Sequence, residues 1–510
     1  MNSWNEGYFT DSTYTYGYYR ELSPNFMRWC LLLNGIDAPE LTEDGCHCEL
    51  GYGQGISANI HAAATPGKFF GTDFNPAHAA QANELAKASG ADAKFFEDSF
   101  EEFSTRDDLP QFDSIGLHGI WTWVSAENRR HMLEVARQHL KSGGMLYNSY
   151  NCLPGWSINA PVRELLVLYY NQISEGDSDK RIKAALKSVE EMFAANPAYI
   201  NLAPNVKGFF EQLKKHDPHY IAHEYLNLDW DLMYFTDVVK LSQAAKLDFA
   251  ATAIPLEANK NLMPDLPRNF LNKFDNPIVR EQLRDYFVNR QFRKDLFVRG
   301  VRRLSPAEVV DKILATRYVL LTPADKVPLK VATVFGELTF TAGIYQPLLE
   351  FLQSKNFRPK DLHEYAAKNN LDARAIVEAL TILVNGNHVM PCQSDAAINS
   401  VKKSCERLNG YICEKSKTNP AINFLASPLT GCGVGVNRFQ QIFIAAYKGG
   451  GKFASNLANA AWKILSQQGQ TMVRDGNRIE SPEENLIFLT TLAETFLTRE
   501  LPLFKALLIA

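Results

Sequence analysis

Long hydrophobic runs are missing from this chain: nowhere in its 510 residues does one approach the ~20 apolar residues a membrane-spanning helix requires. The start, Met1-Asn2-Ser3-Trp4-Asn5-Glu6, has neither a basic lead nor an apolar stretch, so no secretory signal is expected there and a cytoplasmic location is. Cysteine is scarce, 8 in all, too few at this length for a disulfide framework. Cys46-His47-Cys48 invites a metal reading, yet no second ligand pair stands at zinc-site spacing, and no metal is expected. There is no basic surplus either: 53 Lys and Arg against 57 Asp and Glu leave a net charge of −4, which argues against a general grip on nucleic acid. Repeats of about 20–50 residues and low-complexity tracts are absent as well. What remains, 46% hydrophobic and 22% charged, is ordinary globular composition with room for several domains.

The most informative stretch is Cys48-Glu49-Leu50-Gly51-Tyr52-Gly53-Gln54-Gly55, followed by a helix-compatible run from Ile56 to Ala64. Glycines let the backbone pass close to a ligand, and a helix beginning behind them aims free N–H groups over the loop. Eighteen residues beyond Gly55, the strand-like run Lys68–Thr72 ends at Asp73, placed to hold the two hydroxyls of a ribose. A dinucleotide fingerprint reads G-x-G-x-x-G; here the spacing is G-x-G-x-G, with Glu49 two residues ahead. A carboxylate there repels phosphate and suits a ligand with an ammonium group, which is the profile of S-adenosylmethionine. A plain tight turn is the bland alternative for the glycines alone.

Further strands are expected at Phe95–Phe100, at Phe112–Gly119 emerging at His118, and after the glycine pair Gly143-Gly144, with a helix over Asn128–Leu140. Alternating strands and helices imply an α/β doubly wound, Rossmann-like parallel sheet with its ligand outside the carboxyl ends of the strands. Glu49, Asp73, Asp98 and His118 all fall at such ends.

The runs Leu117-His118-Gly119-Ile120-Trp121-Thr122-Trp123-Val124 and Tyr147-Asn148-Ser149-Tyr150-Asn151-Cys152-Leu153-Pro154-Gly155-Trp156 resemble those of bacterial class I methyltransferases that carry a methyltransferase regulatory domain. So do His223–Asn227, Asp285–Arg293 and Leu425–Pro428. Rickettsial lysine methyltransferases of outer membrane proteins are similar in organisation, over about Tyr14 to Val436. The resemblance implies S-adenosylmethionine as cofactor, with Glu49, Gly51 and Gly53 bordering its methionine moiety, Asp73 the ribose, and Asp98 and Ser99 the adenine. Gly55 and His118 complete the expected cofactor set.

The expected organisation is a methyltransferase core at 1–156 and 223–260, interrupted by a helical lid at 157–222. An arginine-rich helical connector at 261–303 follows, then a winged-helix-like domain at 304–392 and a C-terminal α/β region at 393–510, so the second half is mainly helical. Asn276–Arg303 is read as helix, its arginines as solvated faces or salt bridges, with a docking surface for an acidic partner as the alternative. The tyrosine-rich lead-in, with Tyr8, Tyr14, Tyr16, Tyr18 and Tyr19, either covers the ligand or lines the substrate entrance, or else packs on the sheet edge. Gly431-Cys432-Gly433-Val434-Gly435 imitates the first glycine loop but has no acid at the matching distance.

Methyl transfer from a sulfonium is an in-line displacement that positioning and desolvation can drive. Catalytic candidates are His118 as base or orienter and Trp121, Trp123 and Tyr150, with Trp156, as an aromatic wall. A protein substrate, lysine for preference, is the expected acceptor, with a homodimer as the expected assembly. A small-metabolite or glycan methyltransferase, a non-catalytic S-adenosylmethionine-binding scaffold and a nicotinamide-dependent oxidoreductase are the competing readings. Calorimetric titration separates the last of these: S-adenosylmethionine should bind, NAD should not, and Asp73→Ala should abolish the binding.

Overall fold

Strand and helix alternate from Cys46 to Asn151, and the chain closes them into one seven-stranded sheet. The strands are β1 (Cys46–Leu50), β2 (Lys68–Thr72), β3 (Ala93–Phe96), β4 (Phe112–Leu117), β5 (Leu140–Asn151), β6 (Asp248–Thr252) and β7 (Phe292–Val298). Their spatial order is β3-β2-β1-β4-β5-β7-β6, with β7 antiparallel to both neighbours and the first five parallel. The computed structural model describes residues 7–8, 16–173, 175–259, 262–333, 335–339, 342–369 and 372–510. Tyr14 and the Met1–Glu6 start lie outside them.

Side chains alternate across the strands, so the two faces of the sheet bury separate cores. Leu50, Ile115, Leu117, Leu146 and Phe297 face helix α5 (Ala126–His139) and the helix Phe235–Ser242. Met145, Tyr147, Leu296 and Val298 face the other way, against α1 (Pro24–Leu33) and α2 (Ile56–Ala64). That second core runs on without a break into the C-terminal helices. The long helix Asp395–Lys415 lies on α2, where Ser404 Oγ and Cys405 Sγ both donate to the Ala63 carbonyl, at 2.7 and 3.1 Å. All nine residues of α2 are buried as a result.

Between β5 and β6 five short helices, from Ala160–Gln172 to Pro218–Tyr225, enclose a small core of their own around Trp156, Val162, Tyr170, Val189 and Phe210. Beyond β7 the chain is mainly helical. Among the described residues its strands there form two-stranded sheets, such as Tyr318–Leu320 with Val389–Pro391 and Phe424–Ser427 with Cys432–Gly435.

One element departs from expectation. The helix read across Asn276–Arg303 ends at Phe287, and Phe292–Val298 is instead β7, inserted between β5 and β6. Its charged middle, Arg293-Lys294-Asp295, concealed it. Arg293, Asp285 and Asp295 are 3%, 0% and 0% exposed. The guanidinium donates to both carboxylates, at 2.7–2.9 Å, and to Glu281 at 3.0 Å. Tyr150 donates to Asp295 at 2.5 Å. Several of the arginines around Arg293 are paired, as the salt-bridge reading expects: Arg290 with Glu257 at 2.6 Å and Arg302 with Asp37, while Arg284 bonds the Glu257 carbonyl and Arg299 the Leu140 carbonyl. Burying a lone charge is costly, whereas a paired and fully hydrogen-bonded one is tolerated. Arg293→Ala strands the carboxylates and should cost about 3–5 kcal/mol in urea unfolding.

Candidate active site

At the carboxyl rim, pairing aligns Phe96, Thr72, Leu50, Leu117 and Asn148 in one row across the sheet. The next residues along therefore gather over the same edge: Asp73 after β2, Gly51 after β1, His118 after β4. They line one pocket with Glu49, Gly53, Tyr8, Tyr19, Tyr52, Phe74, His78, Ile120 and Trp123. A smaller compartment, lined by Asp98, Ser99 and Asn128, continues from it and shares Tyr8, Phe74, Phe100, Trp123 and Val124.

The glycine turn and Asp73 hold one another. Gly53 has φ +56°, the left-handed region that favours glycine, and in it the Gly53 N–H donates to Asp73 Oδ2 at 2.8 Å. Oδ1 accepts from the Asn75 N–H at 3.0 Å and faces His78 Nδ1 at 3.1 Å. Glu49 is buried beside this carboxylate. Burial, then the Asp73 charge, pushes its pKa up to about 8. A buried acid that ionises reluctantly gains most from a cationic partner, and this is the observation that fits an ammonium-bearing cofactor.

His118 Nδ1 lies 2.9 Å from the Tyr147 hydroxyl and 3.2 Å from Ser149 Oγ, and its ring stacks on Tyr19 with centroids 3.7 Å apart. Burial pulls its pKa down to about 3, so the ring is neutral at physiological pH. At the far end Asp98 accepts from Arg106 at 2.9 Å, and Ser99 caps the helix Phe100–Ser104 in a reciprocal box with Glu102.

Several residues expected at the site stand elsewhere. Gly55 does not line the pocket; a Cβ there would meet that of Ala82 at 2.6 Å, so it lets α2 pack on the helix Pro76–Ser89. Trp121 is 1% exposed and fills the core beneath α5, since the turn after Gly119 directs it inward while Trp123 faces the cavity. Tyr150 points through the opposite face of β5 to Asp295. Trp156 belongs to the separate core of the helices that follow β5, edge-on to Trp230 at 5.3 Å. Of the expected aromatic wall Trp123 lines the pocket, joined by Tyr8 and Tyr19 of the tyrosine-rich lead-in and by Tyr52, Phe74 and Phe100, three residues that sequence reasoning does not single out. Cys46 and Cys48 are buried free thiols, and His47 bonds Ser114 at 2.8 Å.

Residues 48–144 match the model of the "Methyltransferase domain" and residues 217–299 that of the "Predicted methyltransferase regulatory domain". An uncharacterized protein of Synechocystis sp., sll1526, is 35% identical over 99% of both chains. The chain belongs to the class I methyltransferases that carry a regulatory domain. Its cofactor is S-adenosylmethionine. The uncharacterized protein RP789 of Rickettsia prowazekii is 24% identical to this methyltransferase over 91% of its length and 87% of the relative's. The structure of PKMT2 from Rickettsia typhi in complex with AdoHcy shares its fold, with a TM-score of 0.69 and 17% identity over 95% of this chain and 98% of that one. The regulatory match takes in β6 and β7, so in this methyltransferase that region completes the catalytic sheet. Among the described residues no helix is long and apolar enough to cross a membrane.

Glu49 sets a pH test. With its folded pKa raised from 4.5 to about 8, the native protein holds a proton there that the unfolded chain releases; stability from this group falls as pH rises across that window. A ligand ammonium set against the carboxylate reverses the preference and expels the proton. Affinity for S-adenosylhomocysteine should climb between about pH 6 and 8, by no more than about tenfold per unit. Proton release should appear in calorimetry across buffers of different ionisation enthalpy, and Glu49→Gln should remove both effects.

Proposed function

We propose that this methyltransferase modifies lysine side chains of a protein substrate. The observation that carries the reading is the character of the chamber beside Glu49: aromatic rings from Tyr8, Tyr19, Phe74 and Trp123 around a histidine kept neutral. S-adenosylmethionine, when bound, supplies a methyl group already activated on a sulfonium. Glu49 would hold the ammonium of its amino acid tail, Asp73 the ribose, and the compartment of Asp98, Ser99 and Asn128 the base. The remaining task falls to the chain's own side chains: to admit an amine, exclude water and lower the cost of losing a proton.

A lysine ammonium has a solution pKa of about 10.4. An aromatic, desolvated wall disfavours its charged form, while ring faces still tolerate a methylated product through cation–π attraction of about 0.5–2 kcal/mol each. His118 is a poor proton store at neutral pH, since its pKa lies near 3. Its Nδ1 is engaged by Tyr147 and Ser149, so it acts as a fixed hydrogen-bonding wall and the amine's proton departs to solvent as the acceptor docks. The similarity to PKMT2 and the helical insertion between β5 and β6 support a macromolecular acceptor.

Methyl label transferred into cell extract should become soluble on protease digestion, and mass spectrometry should place it on lysine. Label released by glycosidase or found in small molecules would overturn the proposal, and no transfer at all would favour a binding scaffold. The rate should rise with pH from about 6 to 9 without an inflection near the free-histidine value of about 6.5, and His118→Asn should keep that slope.

A further inference from the structure

The second glycine cluster, Gly431–Gly435, has no acid to pair with and binds no part of the cofactor pocket, yet it touches the pocket at one remove. The chain is extended at Tyr19, with φ −124° and ψ 102°, and tightens into a 3-10 turn over Arg20–Leu22. The contacts of this stretch divide between two sides. Tyr19 and Glu21 turn toward the sheet. Tyr19 stacks on His118, its N–H donates to Ser57 Oγ at 2.9 Å, and Glu21 pairs with Lys294 of β7 at 2.7 Å. Tyr18 and Arg20 turn the other way, into the C-terminal helices. Arg20 donates to the carbonyls of Val384 and Asn385 at 2.7 and 2.8 Å. The Tyr18 hydroxyl accepts from the Gly433 N–H at 2.6 Å, leaving its proton for His61 Nε2 at 3.1 Å. His61 is held neutral by burial, with its pKa pulled down to about 3.

Gly433 is needed for room. A Cβ at that position would stand 2.8 Å from Tyr18 Cζ, with two more ring atoms within 3.1 Å. Gly433 lies outside the left-handed region, so alanine there meets an obstacle of space alone. Two residues along, a Cβ on Gly435 would meet nothing nearer than Phe424 Cε1 at 3.9 Å.

We propose that Gly433, and the Tyr18 ring it seats, are positioning residues for the cofactor pocket: the C-terminal region sets the place of Tyr19 against His118 from 415 residues away in sequence. This inference rests on the cofactor pocket and is independent of which acceptor is methylated, so the measurement is binding of S-adenosylhomocysteine to the full chain by calorimetry. Gly433→Ala should weaken binding by about ten- to hundredfold, the scale set by small displacements of a pocket wall, while the melting temperature stays within a few degrees of the parent. Gly435→Ala, in the same hairpin, should bind as the parent does. In a Tyr18→Ala background the further change Gly433→Ala should have no added effect, because the group it displaces has gone. Tyr18→Phe, which keeps the ring and loses the hydroxyl bonds, supplies the same reading if Gly433→Ala does not fold, and should weaken binding several-fold. Parent-like binding by both Gly433→Ala and Tyr18→Phe would overturn the proposal. So would a Gly433→Ala effect that persists in full without the Tyr18 ring.

Discussion

The sheet depends on hiding a charge. β7 must enter between β5 and β6 to finish it, and its second residue, Arg293, is an arginine with almost no access to water. Asp285, Asp295 and Glu281 meet that guanidinium from the preceding helix and from the strand itself, and Tyr150 fills a remaining site on Asp295. The surrounding arginines neutralise the surplus of acid, with Arg290 bound to Glu257 and 3.3 Å from Asp285. The cluster fixes the helix Pro277–Phe287 to the sheet and thereby binds the regulatory region to the catalytic one. A hydrophobic strand would have paired equally well; the ionic one admits a single register, because a shift of one residue would turn Arg293 to the other face.

On the rim the same economy of charge works in the opposite sense. Glu49 and Asp73 are two carboxylates in one buried corner, and among the described residues the N–H donors of the Gly53 and Asn75 turns go to Asp73. Glu49 is left at a disadvantage that a cation relieves. The pocket therefore discriminates by charge before it discriminates by shape. A pyrophosphate would meet the reverse of the field it needs, which is the physical content of the missing residue in the glycine spacing.

Much of the fold was legible because it obeys short-range rules. The first five strands, the glycine turn and the helix behind it follow from period and punctuation, and Glu49, Gly51, Gly53, Asp73 and His118 fall together on one rim by strand geometry. β7 was hidden because its charges are satisfied by partners distant in sequence, which no local pattern reveals. Trp121 and Tyr150 were misplaced for a related reason. A position just past a strand says that a side chain is near the rim, but the turn at Gly119 and the alternation along β5 decide which face it takes. Tyr8 and Tyr19 were visible as an aromatic excess, and only tertiary contacts to Phe74, His223 and His118 give them a place.

The hydrogen bond between Tyr18 and Gly433 joins the beginning of the chain to a hairpin near its far end. During synthesis all seven strands leave the ribosome well before that hairpin does. Every strand of the sheet is thus made before the seat for Tyr18 exists. The same geography means that a proteolytic cut in the C-terminal helices would reach the reaction chamber without touching any residue that lines it.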